Sequence, residues 1–325
     1  MKSAFLQLTY TLAYCLGIIG LFYKFNRRPI VVSYHNIIPD ASFDEHSHFL
    51  GGDHRVSEFE RHMEIITGKL EVVNELVPGK VLITFDDGYK NNLTIAEPIL
   101  RRHGINATFF VPACYFESSD ILWIDKILMW ISFVPTGSYL LAGKLYNLDS
   151  TSSRRNTWNE LWRLLLDDYS VKSGLIEEMQ KQCTFEEIPI DKDYFDARFQ
   201  ALSDDDMESL KKAGNKIACH SYNHDILAKL SPEELFGNFE KCQAFRSNFN
   251  VSWYSYPFGR DSEVTDVVVE TCKNFGYSYA FMNIDGKGSE RYRMTRVNMP
   301  NSGNKALIHA KLSGFEAFLK ELLPT

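Results

Sequence analysis

An α/β fold built on a parallel sheet is predicted for this 325-residue chain, and two observations predict it. Beyond Pro29, short apolar runs of strand length alternate with amphipathic stretches long enough to be crossover helices, which implies parallel pairing. The residues that carry chemistry also stand directly after two of those runs. Thr84-Phe85-Asp86-Asp87-Gly88 follows Val81-Leu82-Ile83, and His220-Ser221-Tyr222-Asn223-His224 follows Lys216-Ile217-Ala218-Cys219. Strand ends are where parallel α/β folds assemble their sites.

The N-terminus comes first and differs from the rest. Ala4 to Tyr23 is an uncharged, mostly apolar stretch of 20 residues, about the length that spans a bilayer. Lys24, Arg27 and Arg28 follow it and only Lys2 precedes it. That bias places the following domain in the cytoplasm, with a periplasmic or extracellular face left open. No small-x-small cleavage site is evident, which argues against a removed signal peptide. Gln7, Thr9, Thr11, Gly17 and Gly20 make the stretch only moderately hydrophobic. Two arrangements are therefore expected for residues 4–23: association with a membrane, or a helix docked on the domain.

Ile30-Val31-Val32-Ser33-Tyr34 reads as a strand, and Phe59, Met63 and Ile66 mark a helix over Val56 to Leu70. Lys80 to Phe85 is the next strand, and Leu93 to His103 a helix stopped by Gly104. Ala107 to Val111 is a third strand, rich in β-branched and aromatic residues. Ser203 caps a helix ending at Gly214. Ser231-Pro232-Glu233-Glu234 is a capping box with proline at the first helical position. Val251 to Tyr256 and Ser278 to Met282 are strands on either side of a helix from Ser262 to Phe275. Lys305 to Leu322 reads as one amphipathic terminal helix. Between the third strand and Ser203 the rhythm breaks. Residues at about 115–200 carry four tryptophans, helical periodicity near Trp158 to Asp167 and a charged stretch, and read as a largely helical insertion covering or flanking the site.

Composition narrows the function classes. Thirty-five basic against 42 acidic residues give a net charge of −7, which supplies no electrostatic footprint for nucleic acid. The six cysteines are scattered without Cys-x-x-Cys spacing and read as small packing residues in a reducing compartment. Aromatics make up 14%; core packing accounts for most of them, and a carbohydrate surface would suit the remainder.

The two motifs carry the chemistry. Asp-Asp-Gly alone is more often a turn after a strand, and a lone His-x3-His pair is weak. Together, one carboxylate and two imidazoles make a first-row metal site with open positions. The second, adjacent carboxylate is left free to take a proton once the turn at Gly88 separates the environments of Asp86 and Asp87. Asp225 follows His224 directly and is a candidate to orient its ring.

At this point the sequence resembles the NodB-homology polysaccharide deacetylases, carbohydrate esterase family 4. Thr84 to Gly88 matches the first motif of that family, His220 to His224 the second, and Ser255-Tyr256-Pro257-Phe258-Gly259 a third near Pro-Tyr-Gly. The resemblance runs from about Arg28 to Lys311 and implies a distorted (β/α) barrel with a helical insertion, the catalytic domain over 28–325; the N-terminal hydrophobic helix in residues 1–27 rests on its own apolar composition. It implies Asp86 as general base, Asp87, His220 and His224 as metal ligands, and the Phe258 backbone N–H as oxyanion donor. Many relatives carry arginine where Ser255 stands. Arg296 is the expected replacement as partner of Asp86. His35, after the first strand, is the expected general acid. The alternative acid is His309, in a Leu-x-His match at Leu307-Ile308-His309 that falls on the terminal helix.

The activity so implied is metal-dependent removal of acetyl groups from N-acetylated sugars of a cell-surface polysaccharide or its precursor. Zinc is the default cation, with cobalt, nickel or iron also suited to Asp-His-His. Rival readings are an O-acetyl esterase or small-amide hydrolase on the same fold, and a carbohydrate-binding protein without turnover. A non-haem iron oxygenase shares the ligand set but is usually built on an all-β scaffold.

Overall fold

The computed structural model describes residues 2–43, 52–118, 120–286 and 288–322. Two helices come first, α1 (Lys2–Cys15) and α2 (Ile18–Phe25), bent by 78° across the turn between them. Gly17 makes that turn at φ 75°, a left-handed conformation that glycine adopts without steric cost. The continuous stretch expected over Ala4 to Tyr23 is thereby divided. No single helix among the described residues is long and apolar enough to cross a membrane, although the bent pair together passes that test.

Strand β1 (Ile30–Tyr34) leads into β2 (Asn36–Ile38), which pairs in parallel with β3 (Asp53–Arg55) as a small separate sheet. Helix α3 (Val56–Thr67) returns the chain to β4 (Val81–Phe85). A π turn at Asn92–Ala96 and α4 (Glu97–Arg102) lead to β5 (Thr108–Val111). An excursion then runs through α5 (Trp123–Phe133), the hairpin β6 (Ser138–Leu141) and β7 (Lys144–Asn147), α6 (Thr151–Asp167), α7 (Lys172–Gln182) and α8 (Lys192–Arg198). Helix α9 (Asp204–Lys212), capped by Ser203, leads into β8 (Lys216–Cys219), and α10 (Pro232–Phe249), opened by the Ser231 capping box, into β9 (Trp253–Ser255). Helix α11 (Asp266–Asn274) precedes β10 (Tyr279–Phe281), followed by β11 (Ser289–Glu290), β12 (Arg293–Met294) and β13 (Val297–Asn298). Helices α12 (Lys305–Ser313) and α13 (Phe315–Leu322) end the described chain.

Nine strands form one curled sheet in the order β11-β12-β10-β9-β8-β5-β4-β1-β13, parallel throughout except between β11 and β12. Both ends of that order belong to a single short segment. Met294 of β12 pairs with Phe281 on β10, and Val297 of β13 pairs with Val32 on β1. Residues Arg293 to Asn298 therefore span the seam between β10 and β1, with Thr295 and Arg296 at the crossing. This is the distorted (β/α) barrel expected.

Alternation along each strand sorts side chains between the lumen and the helical layer. Val31, Leu82, Phe110, Ala218, Trp253, Phe281 and Met294 pack together as one apolar layer. Two residues further along their strands stand Ser33, Thr84, His220, Ser255, Asn283 and Arg296, with Asp86 and His35 two positions beyond Thr84 and Ser33. The barrel is thus floored with hydrocarbon and polar at its C-terminal mouth. The intervening residues, such as Val32, Ile83, Phe109 and Cys219, join the main core beneath the helices.

Three features depart from the sequence expectation. The terminal helix is two helices, because Gly314 takes φ 81° after α12. Ala142 and Gly143 both have positive φ and turn the β6–β7 hairpin inside an insertion that reads as helical. Strands β2 and β3 are three residues each, too short to leave a periodic signal. The N-terminal pair is docked on the C-terminal helices, with Tyr10, Ala13 and Ile19 packed against Ala306, Ala310 and Phe315.

Candidate active site

Asp87, His220 and His224 are buried and converge, each offering a ligand atom within 4.8 Å of the others. Both imidazole Nε2 atoms lie 3.2 Å from Asp87 Oδ1. The backbone is bent to achieve this: Asp87 (φ 71°), Ser221 (φ 62°) and His224 (φ 61°) are all left-handed without being glycine, a conformation that persists where surrounding structure enforces it. That turn is what sends Asp87 away from its neighbour Asp86. His220 donates its other ring N–H, Nδ1, to the carbonyl of Ser255 at 2.8 Å, which leaves Nε2 with a free lone pair for a cation.

The residues present fit a divalent ion. Asp87 Oδ1 is buried and accepts no hydrogen bond among the described residues, as a ligand atom awaiting a cation would be. Burial acts to raise the Asp87 carboxyl, but His224, His220 and His35 together hold it well below the usual carboxylate range. In His220 burial works the other way, and Asp86 and Asp87 raise it above the ordinary imidazole value. The cluster is thus an excess of negative charge that attracts a proton or a metal to the same point.

Asp86 is held differently. Arg296, fully buried, reaches from the seam across the lumen and grips both of its oxygens, Nη1 to Oδ1 at 2.7 Å and Nη2 to Oδ2 at 2.5 Å. The remaining guanidinium N–H groups go to Met282 O (2.8 Å), Ser255 Oγ (3.0 Å) and Thr84 Oγ1 (3.3 Å), so all five donors are used. Burial acts to raise Asp86, yet Arg296, His220 and His35 outweigh it and keep the carboxyl below its ordinary value. Ser255 also donates to Asp86 Oδ2 at 3.2 Å. The small serine leaves the space that the Arg296 guanidinium occupies.

Asp86, Asp87, His220 and His224 share one cavity of about 750 Å³, also lined by His35, Phe258, Asn283, Tyr89, Trp158 and Trp162. His35, just after β1, lines this cavity within electrostatic reach of both carboxylates. Phe258 has φ 59°, and its N–H meets no backbone carbonyl among the described residues. Gly259 beside it has no room for a side chain, since a Cβ would stand 2.4 Å from the Asn283 nitrogen. His309 is elsewhere: it is buried on α12, stacked on Tyr14 at 5.2 Å with Nδ1 2.9 Å from Tyr23 OH. Asp225 does not orient a histidine. It accepts from Tyr169 OH at 2.6 Å and pairs with Lys172, while His224 Nδ1 has no partner among the described residues.

The insertion flanks the site as expected and supplies one of its walls. Trp123 Nε1 donates to the carbonyl of His224 at 3.0 Å, and Trp162 packs on Phe258 at 5.0 Å between ring centroids. Arg198, 2% exposed despite its charged surroundings in sequence, pairs with Asp53 at 2.9 Å. Asp125 accepts from Tyr89 OH at 3.0 Å, and burial, opposed by Arg198, pushes its carboxyl up to about 7.

The polysaccharide deacetylase family model matches residues 74–128 and 174–280. The matched stretches hold Asp86, Asp87, His220, His224 and Phe258, whereas His35 and Arg296 lie outside them. Residues 129–173, which the match omits, fall within the excursion between β5 and β8. No curated protein matches the sequence. Among solved structures, the fold is similar to Streptococcus pyogenes deacetylase PplD in complex with acetate, at 14% identity and TM-score 0.53, covering 87% of this chain and 97% of that one. It is likewise similar to IcaB from Ammonifex degensii, at 16% identity and TM-score 0.52, covering 88% and 97%. A de-N-acetylase from Aggregatibacter actinomycetemcomitans gives 14% identity and TM-score 0.52, covering 86% and 98%. The chain belongs to the polysaccharide deacetylase family, hydrolases that cleave the carbon–nitrogen bonds of acetylated polysaccharides.

Proposed function

We propose that this chain is a metal-dependent N-deacetylase that removes acetyl groups from N-acetylated sugars of a cell-surface polysaccharide or its precursor. The observation that carries this reading is the division of labour between adjacent carboxylates: Asp87 converges with His220 and His224, while Asp86 is held ionised by Arg296 in the same cavity. A binding protein has no need of the second arrangement.

Asp87, His220 and His224 would hold the cation, zinc by default and cobalt, nickel or iron as alternatives. When bound, such an ion supplies Lewis acidity to the acetyl carbonyl and acidifies water. Asp86, ionised throughout the working range, takes the proton of the attacking water through a lone pair not engaged by Arg296. The Phe258 N–H donates to the oxygen that becomes negative as the carbonyl carbon turns tetrahedral. His35 delivers a proton to the departing nitrogen, so that acetate and a free amino sugar result. Arg296 touches no reacting atom; it positions Asp86.

Acetate release from a panel of N-acetylhexosamine glycans, with and without chelator, tests this reading. Turnover that chelator abolishes and added zinc restores supports it. Binding of the same glycans with no acetate released, in protein carrying a full complement of metal, would overturn it.

A further inference from the structure

We infer that the bent N-terminal pair docks the enzyme on an anionic lipid surface in the plane of the membrane, without crossing it. The inference is independent of the reaction proposed above. Helices α1 and α2 have two apolar faces where a soluble helix has one. One face is used inside the molecule: Tyr10, Ala13 and Ile19 pack on α12 and α13, and Phe22 meets the Phe315 ring edge-on at 5.1 Å. The other face presents Leu8, Leu12, Leu16, Ile18, Leu21 and Phe25 to the exterior, with Leu16 73% and Phe25 70% exposed. Those six are more than half of the eleven large apolar side chains exposed among the described residues. Leu8, Leu12 and Leu16 recur every fourth residue and so form a single stripe.

Charge selects the occupant. Residues 1–39 contain Lys2, Lys24, Arg27 and Arg28 and no aspartate or glutamate, in a chain whose net charge is −7. A cationic, apolar patch on an acidic protein suits an anionic bilayer, where headgroup phosphates meet the arginines and acyl chains meet the leucines. Next to the stripe, Leu21, Phe22 and Phe25 form one wall of a cleft of about 500 Å³ that Arg27 and Arg28 also line, and its two carboxylates, Asp285 and Glu316, are paired with Lys311.

Geometry selects the depth. Helix α1 is 14 residues and α2 is 8, roughly 21 and 12 Å long, and neither reaches across a hydrocarbon core of about 30 Å. Straightening the pair into one span would undo the turn at Gly17 and strip Tyr10, Tyr14 and Phe22 from α12 and α13.

The test is flotation of the full chain with vesicles of pure phosphatidylcholine or of phosphatidylcholine with phosphatidylglycerol. Three proteins are compared: the parent, L8Q/L12Q/L21Q, and K24Q/R27Q/R28Q. All six positions are away from the catalytic cavity, and circular dichroism with the thermal unfolding midpoint of each protein serves as the folding control. Binding only to the anionic vesicles, weakened by salt and reduced about tenfold or more in each variant, is the expected result. The bound parent should also be released by alkaline carbonate. Lack of binding to anionic vesicles, equal binding to both compositions, retention after carbonate as for a crossing segment, or a stable dimer that buries the same leucines would each overturn the inference.

Discussion

Replacing Arg296 with methionine should separate its effect on Asp86 from any loss of hydrocarbon packing, because the side chains have comparable length and only the guanidinium is lost. Asp86 would keep Ser255 Oγ as a donor but lose two charge-assisted bonds at 2.7 and 2.5 Å. Removing one partner of a buried ion pair costs about 3–5 kcal/mol, since the survivor is a desolvated charge. The pH dependence identifies that charge. In the parent, Asp86 lies below its ordinary value, so its contribution to stability is present above the unfolded pKa and is lost as pH falls. Without Arg296, the burial that acts to raise Asp86 is opposed only by His220 and His35, so the folded pKa moves up and less of that stability remains at neutral pH. The gap between parent and R296M should therefore be widest near neutrality and narrow as pH falls towards the carboxylate range. Urea denaturation at a series of pH values, with zinc held constant, measures it. A gap under about 1 kcal/mol at neutral pH, or one that pH does not change, would refute the reasoning. Arg296→Lys keeps the charge but not the fork, and should leave a protein of intermediate stability with kcat reduced more than KM is changed.

Asp86→Asn should retain the metal and lose about 10²–10⁴-fold in turnover, checked by metal analysis beside acetate release; loss of the ion with recovery of activity in excess metal would exchange the roles of Asp86 and Asp87. Alanine at Asp87, His220 or His224 should strip the cation, and a chelator should do the same to the parent, both measured by elemental analysis of the purified protein. His35→Ala should lower kcat far more than His309→Ala and abolish the basic limb of the pH–rate profile; activity equal to the parent would remove His35 from its role. Acid should destabilise the fold through His54 and His62, each lowered to about 4 chiefly by burial. The unfolded chain binds these protons first, so stability should fall between about pH 6.5 and 4, by about 3 kcal/mol for each histidine at most, and level off below. Denaturation midpoints of His54→Gln and His62→Gln across that window check it.

The parts of this fold that sequence discloses are those with a local period. Val31, Ser33 and His35, or Leu82, Thr84 and Asp86, alternate visibly, and a two-residue period is enough to place them in one lumen. The Asp-Asp-Gly and His-x3-His blocks are equally legible because each is contiguous. Arg296 was reachable only through the family resemblance, which leaves Asp86 without its usual arginine once Ser255 stands in that place. Arg198, Asp53, Tyr89 and Asp125 were not, because each comes from a different element and none belongs to a contiguous motif. Their meeting depends on how α5 and α8 fold back over the barrel mouth, and nothing periodic encodes that. The bend at Gly17 was hidden for a simpler reason: glycine permits a left-handed turn but does not demand one.

The seam gives the polypeptide an order of completion as it is made. Asp87, His220 and His224 are all present once residue 224 has emerged, whereas Asp86 waits for a partner 210 residues away. The segment that supplies Arg296 is the same one that joins β10 to β1. A nascent or truncated chain ending before that segment would carry every proposed ligand and the proposed base, yet leave the carboxylate unaligned in an open sheet. Alignment of Asp86 and barrel closure are then a single late event, and a chain still under synthesis would lack a positioned carboxylate.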